Sequence, residues 1–106
     1  MCSLGVYNIL VAAMKGKKET FVVHDENKVS VYHYQTKIMH IDHGNRIGWV
    51  SNGGYYTATT KRHMNTLLSF LDIPARVFQH DYTWYVRYYG TNLSFDHDNR
   101  FYFNLP

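Results

Sequence analysis

The residue types able to do chemistry are concentrated in two places in this chain. The first is His40-Ile41-Asp42-His43, the tightest group among seven histidines. On a strand His40 and Asp42 share a face, which would offer two ligands to a metal ion. A hydrolase-type His-x-His-x-Asp-His run would need a third histidine at position 38, and Ile38 stands there. No cysteine or second close pair completes the set, so polar residues beside a turn account for the group, and no metal or other cofactor is assigned. The second place is Ser51 to Asn65, where Gly53-Gly54 leads through Tyr55, Tyr56, Thr57, Thr59 and Thr60 to Lys61 and Arg62. Cations in the first turn of a helix oppose its dipole, at about 0.3–1 kcal/mol each unless an anion sits nearby. Threonine hydroxyls, free helix N–H groups and two cations suit a phosphate. The plain structural alternative is that these threonines only cap the helix.

Other catalytic arrangements are weak. Met1-Cys2 matches the start of enzymes that unmask an N-terminal cysteine nucleophile, but those chains are far larger. His63, beside an apolar helix stripe, reads as a partly buried histidine with a backbone partner. Asp96 and Asp98 are the paired carboxylates, in a turn that favours Asp for backbone reasons. Gly53-Gly54 alone completes neither a dinucleotide fingerprint nor a P-loop. These readings point to binding rather than catalysis.

The elements that must position these residues follow from periodicity. Met64, Leu67, Leu68 and Leu71 fall at i, i+3, i+4 and i+7, predicting an amphipathic helix over about 60–71, capped by Thr59 or Thr60 and ended by Ile73-Pro74. Gly5–Met14 is apolar and fits strand or helix. Strands are predicted over 20–24 and 28–34 around the turn Asp25-Glu26-Asn27, and over 37–42 and 46–51 around His43-Gly44-Asn45. Further strands are predicted over 76–80 and 83–89, with a terminal hairpin pairing Leu93–Asp96 with Arg100–Phe103. The fold class is α+β: a mostly antiparallel sheet of about five to seven short strands with one helix packed on it.

At 106 residues the chain makes one domain, residues 1–106. Ten Tyr, six Phe and two Trp suit an aromatic-rich sheet or a stacking surface. On strand alternation Tyr82, Trp84, Val86 and Tyr88 share one face, with Tyr85, Arg87 and Tyr89 on the other; whichever aromatic face is uncovered would suit a protein partner. The net charge is +3. No acid lies between His43 and Leu71, and Lys15, Lys17 and Lys18 form a second basic cluster. A charged fraction of only 18% suggests cover by a partner or by a second copy of the chain. The single cysteine excludes an internal disulfide and suits a reducing compartment. The Leu4–Met14 run is too short to span a bilayer and has the wrong flanks for a secretory signal.

The pattern Tyr34-x-Thr36-x-Ile38, then Gly53-Gly54-Tyr55-x-Thr57-x-Thr59-Thr60-x-Arg62-x-x-Asn65, resembles a group of small bacteriophage and archaeal-virus proteins across roughly residues 32–71. The resemblance implies a virus-encoded accessory protein acting in the host cytoplasm on nucleic acid, a host enzyme or a defence complex. Two functions are therefore expected. One is nucleic-acid binding through Tyr55, Tyr56, Thr57, Thr59, Thr60, Lys61 and Arg62. The alternative is inhibition of a host protein through Tyr82, Trp84, Tyr85, Tyr88 and Tyr89.

Overall fold

A computed structural model describes residues 3–95 and 99–106. In chain order the elements are α1 (Ser3–Met14), β1 (Thr20–Asp25), β2 (Lys28–His33), β3 (Thr36–Asp42), β4 (Ile47–Ser51), α2 (Ala58–Phe70), β5 (Ala75–His80), β6 (Thr83–Tyr88), β7 (Thr91–Ser94) and β8 (Arg100–Asn104). The strands form two antiparallel sheets, β1-β2-β3-β4-β8 and β5-β6-β7. The α+β class and the antiparallel pairing match the sequence reading.

Three details differ from it. There are two helices rather than one: Gly5–Met14, which on sequence fits strand or helix, lies within a helix, with Val6, Leu10, Ala13 and Met14 buried at i, i+4, i+7 and i+8. Leu4 and Val11 are exposed on the same helix; apolar residues on several faces are what hid its period. There are two sheets rather than one. The terminal hairpin does not form: β7 pairs with β6, from Tyr85↔Ser94 to Tyr88↔Thr91, and β8 crosses back to pair with β4. Asp96 and His97-Asp98 lie outside the described residues.

Tight turns set the registers. Asp81 and Tyr82 both take positive φ between β5 and β6, as do Tyr89 and Gly90 between β6 and β7. That is the backbone of two-residue hairpin loops whose twist matches the strands. In the larger sheet, alternation sorts the side chains into two faces. Val22↔Val31, Val31↔Met39, Met39↔Val50 and Val50↔Phe101 form one transverse row. All of it is buried except the half-buried Val22, and it packs with Leu10 of α1 and with Met64, Leu67 and Leu68 of α2 in one core. Each large aliphatic side chain buried there contributes about 1.5–3 kcal/mol. The smaller sheet joins that core through Val77, Trp84 and Val86.

Candidate nucleic-acid interface

The same alternation that buries one face of the five-stranded sheet sends aromatic residues to the other. The outer row next to the buried one runs Val23↔Ser30, Ser30↔His40, His40↔Trp49 and Trp49↔Tyr102, so it crosses all five strands. A second row holds Phe21↔Tyr32 and Tyr32↔Lys37. The rings are in contact across the strands: Phe21 and Tyr32 stack at 4.9 Å with an interplanar angle of 7°, and His40 and Trp49 stack at 5.9 Å. Phe21 is 50% exposed and Tyr102 48%, with Val23 and Ile47 also open. The helices pack on the opposite face, so among the described residues this face is uncovered.

Cations are threaded through the aromatics. Lys37 Nζ lies 5.7 Å from the Tyr32 ring centre, and the Arg100 guanidinium lies 4.2 Å from that of Trp49. Arg100 also donates to the Tyr102 hydroxyl at 3.4 Å. His40 reports the local field. Its pKa is lowered first by burial and then by Lys37 and Lys28, with Asp42 opposing and Arg100 adding to the lowering. The imidazole is therefore neutral at neutral pH and pairs with the Ser30 hydroxyl at 3.0 Å. Asp42 is committed elsewhere. It accepts from the Asn45 side-chain and backbone N–H groups at 2.8 and 3.2 Å, and these bonds hold its pKa below the ordinary value. His40 and Asp42 thus have separate partners, and the described residues contain no group of three or more His, Cys, Asp or Glu able to hold a metal ion.

The Ser51–Arg62 run does not form one surface. Ser51 Oγ accepts from Gly53 N–H and Asn52 Oδ1 from Gly54 N–H, winding a tight turn that delivers Tyr55 and Tyr56 to solvent. The N-cap of α2 is Thr57, not Thr59 or Thr60: its hydroxyl oxygen accepts from Thr60 N–H at 3.1 Å. Thr60 is buried and receives the Thr57 hydroxyl proton at 3.0 Å, so it faces inward. Lys61 lies 5.9 Å from the ring centre of Trp84. The residues then divide among three depressions. Tyr55, Thr57, Thr59 and Thr60 line a cleft of about 790 Å³ shared with Glu19, His33, Tyr34, Gln35, Thr36, Ile38 and Asn52. Lys61 and Arg62 line a shallow groove with Arg76, Asn65 and Thr66. Tyr56 turns to a third, beside Tyr82 and Trp84, and donates to Asn99 Oδ1 at 2.6 Å.

The β6 tyrosines are likewise split. Trp84 is 4% exposed and belongs to the core, which removes it as a partner anchor. Tyr88 packs edge-on against Phe101, and Tyr85 stacks on Phe78. Tyr82 is 95% exposed and Tyr89 75%, but they occupy hairpin tips at opposite ends of β6. A six-residue strand separates such tips by roughly 20 Å. His63 is buried without the backbone partner expected for it: its Nδ1 has no hydrogen-bond partner, and its ring meets that of His33 at 4.8 Å.

Sequence reasoning missed the outer sheet face. Its signal was present in the alternation of Phe21 and Val23, and in Tyr32, Trp49 and Tyr102, each opposite in phase to its buried neighbours. Assembling them required the β4–β8 pairing, which joins residues about 50 apart in the chain.

No helix among the described residues is long and apolar enough to cross a membrane. No curated protein and no solved structure matches the chain. The model of the Kyanoviridae Gp96 protein family matches residues 8–103, nearly the whole length. The chain thus belongs to the Kyanoviridae Gp96 family of bacteriophage proteins.

Proposed function

We propose that this phage protein binds single-stranded nucleic acid in the host cytoplasm, without catalysis, on the outer face of its five-stranded sheet. The observation that carries the reading is the uncovered aromatic row with Lys37 and Arg100 set against its rings. Bases stack on aromatic side chains at about 1–3 kcal/mol each, while nearby cations attract the phosphates. A protein-binding role, as an inhibitor of a host enzyme or defence complex, is the competing reading, since Trp, Tyr and Arg also anchor protein interfaces.

Tryptophan fluorescence separates the two. Trp84 is buried and Trp49 half-buried on the open face, so quenching by a labelled or unlabelled oligonucleotide reports on Trp49. The expected result is saturable quenching by single-stranded DNA or RNA. With Lys28 and Lys37 each neutralising one phosphate, affinity should fall roughly sevenfold between 50 and 200 mM salt. Trp49→Ala should weaken binding by about 5- to 150-fold, whereas Lys61→Ala with Arg62→Ala should change it little. Absence of oligonucleotide binding at low salt, together with a salt-insensitive host protein retained on the intact face, would establish the inhibitor reading instead.

A further inference from the structure

We infer that the cleft between the β2–β3 turn and the start of α2 is a nucleotide pocket, selective for a base that carries a ring carbonyl beside an N–H. Its volume, about 790 Å³, is within the usual range for small-ligand sites. Asn52 supplies the specific observation. It lines the cleft, is 1% exposed, and has its Oδ1 occupied by Gly54 N–H, while its Nδ2 has no acceptor. A buried amide donor left unpaired costs about 1–3 kcal/mol, and a ligand carbonyl that displaces the atoms covering Nδ2 would remove that cost.

The rest of the lining supplies what such a base needs. Tyr34 and Tyr55, both more than half exposed, offer ring faces for stacking, with the His33 ring next to Tyr34 at 4.6 Å. Glu19 at the rim is an acceptor for a ring or exocyclic N–H. Guanine and uracil present a carbonyl adjacent to an N–H; adenine presents no carbonyl at all. The N-terminus of α2 meets the cleft through Thr57 and Thr59, and the amides of Ala58 and Thr59 have no intrahelical acceptor, which suits the attached phosphate. Tyr34 also holds φ at +58°, in a two-residue turn at a position that glycine ordinarily fills. The pocket uses none of the sheet-face residues and stands or falls separately from them.

The test is titration of the intact protein with GMP, UMP, AMP and inorganic phosphate, read by saturation-transfer NMR and by thermal denaturation. GMP or UMP should bind saturably and raise the melting temperature, with AMP at least tenfold weaker and phosphate alone weaker still. Tyr34→Gly relieves the backbone while removing the ring, so it should keep the fold and lose about tenfold or more in affinity. Asn52→Asp retains the acceptor for Gly54 and replaces the donor, so it should abolish the preference for GMP and UMP over AMP. Trp49→Ala should leave mononucleotide binding intact, which separates this site from the sheet face. Failure of every nucleotide to saturate, equal binding of AMP and GMP, or binding indifferent to both cleft variants would each overturn the pocket.

Discussion

At the scale of single residues, the Gly53-Gly54 pair shows two different reasons for a glycine. Both take positive φ, at +61° and +88°. A Cβ on Gly54 would meet open space, but one on Gly53 would overlap Thr36 Cγ2. Gly54→Ala should therefore cost only the backbone preference, about 1 kcal/mol, and Gly53→Ala at least about 1 kcal/mol more. Combining Gly53→Ala with Thr36→Ser, which deletes the offending methyl, should recover the difference in a chemical-denaturation cycle. His63 carries the second prediction at this scale. Burial first, then His33, Lys17 and Arg62, lower its pKa below 6.5 in the folded state. The unfolded chain then binds the proton more readily, so stability is full above pH 6.5. It declines as the pH falls from 6.5 toward the lower folded-state value. His63→Gln should flatten that decline in melting temperature between pH 7 and pH 5. The sequence placed His63 beside the apolar stripe correctly, but its missing partner depends on what β2 brings against it, which no local pattern encodes.

At the scale of elements, legibility followed locality. The α2 stripe and the hairpins β1–β2 and β3–β4 are set by residues a few positions apart, and their periods and turn residues were readable; β5 and β6 were readable as strands, but their pairing was not. The β4–β8 pairing, the split into two sheets and the helical state of α1 depend on contacts distant in sequence. The motif residue Asn65 belongs to that second class. Its Nδ2 donates to Val77 O at 3.0 Å and its Oδ1 accepts from Val77 N–H at 2.7 Å. One side chain thus closes both backbone groups of a β5 residue and fastens α2 to the smaller sheet. Asn65→Ala would leave those two part-buried groups without their partners and should destabilise by about 2–3 kcal/mol. Thr66→Ala, which removes only a hydroxyl bonded to Arg62 O one turn back on the exposed face, should change stability by less than about 0.5 kcal/mol. Urea denaturation of the two variants side by side checks both values. The spacing from Gly53 to Asn65 is thereby largely architectural: a turn, a cap and a clamp that position the cleft and the helix.

At the scale of the molecule, six of the eleven Lys and Arg residues stand on two surfaces that the fold turns apart. Lys28, Lys37 and Arg100 stand with the open aromatic face, and Lys61, Arg62 and Arg76 with the groove along α2. The cross-strand pair Arg76↔Arg87 sets two cations opposite each other on the smaller sheet, and Arg87 relieves it by donating to Asn92 Oδ1 at 3.0 Å and lying over Phe78. The larger sheet instead offers rings in two adjacent rows, Phe21 with Tyr32 in one and His40, Trp49 and Tyr102 in the other. Tyr32 on β2 and Trp49 on β4 are two strand spacings apart, roughly 10 Å, and do not share a partner ring. A strand laid across the whole face would stack on both. Tyr32→Ala and Trp49→Ala should then each weaken oligonucleotide binding, and the double variant should lose the product of the two factors, with a coupling energy below about 0.5 kcal/mol. Measured by anisotropy with a labelled oligonucleotide, that additivity would show a footprint spanning β2 to β4. An effect confined to Trp49 would restrict the footprint to the β4–β8 side, where Arg100 and Tyr102 lie, and would assign the Phe21–Tyr32 stack to protection of the exposed β1 edge.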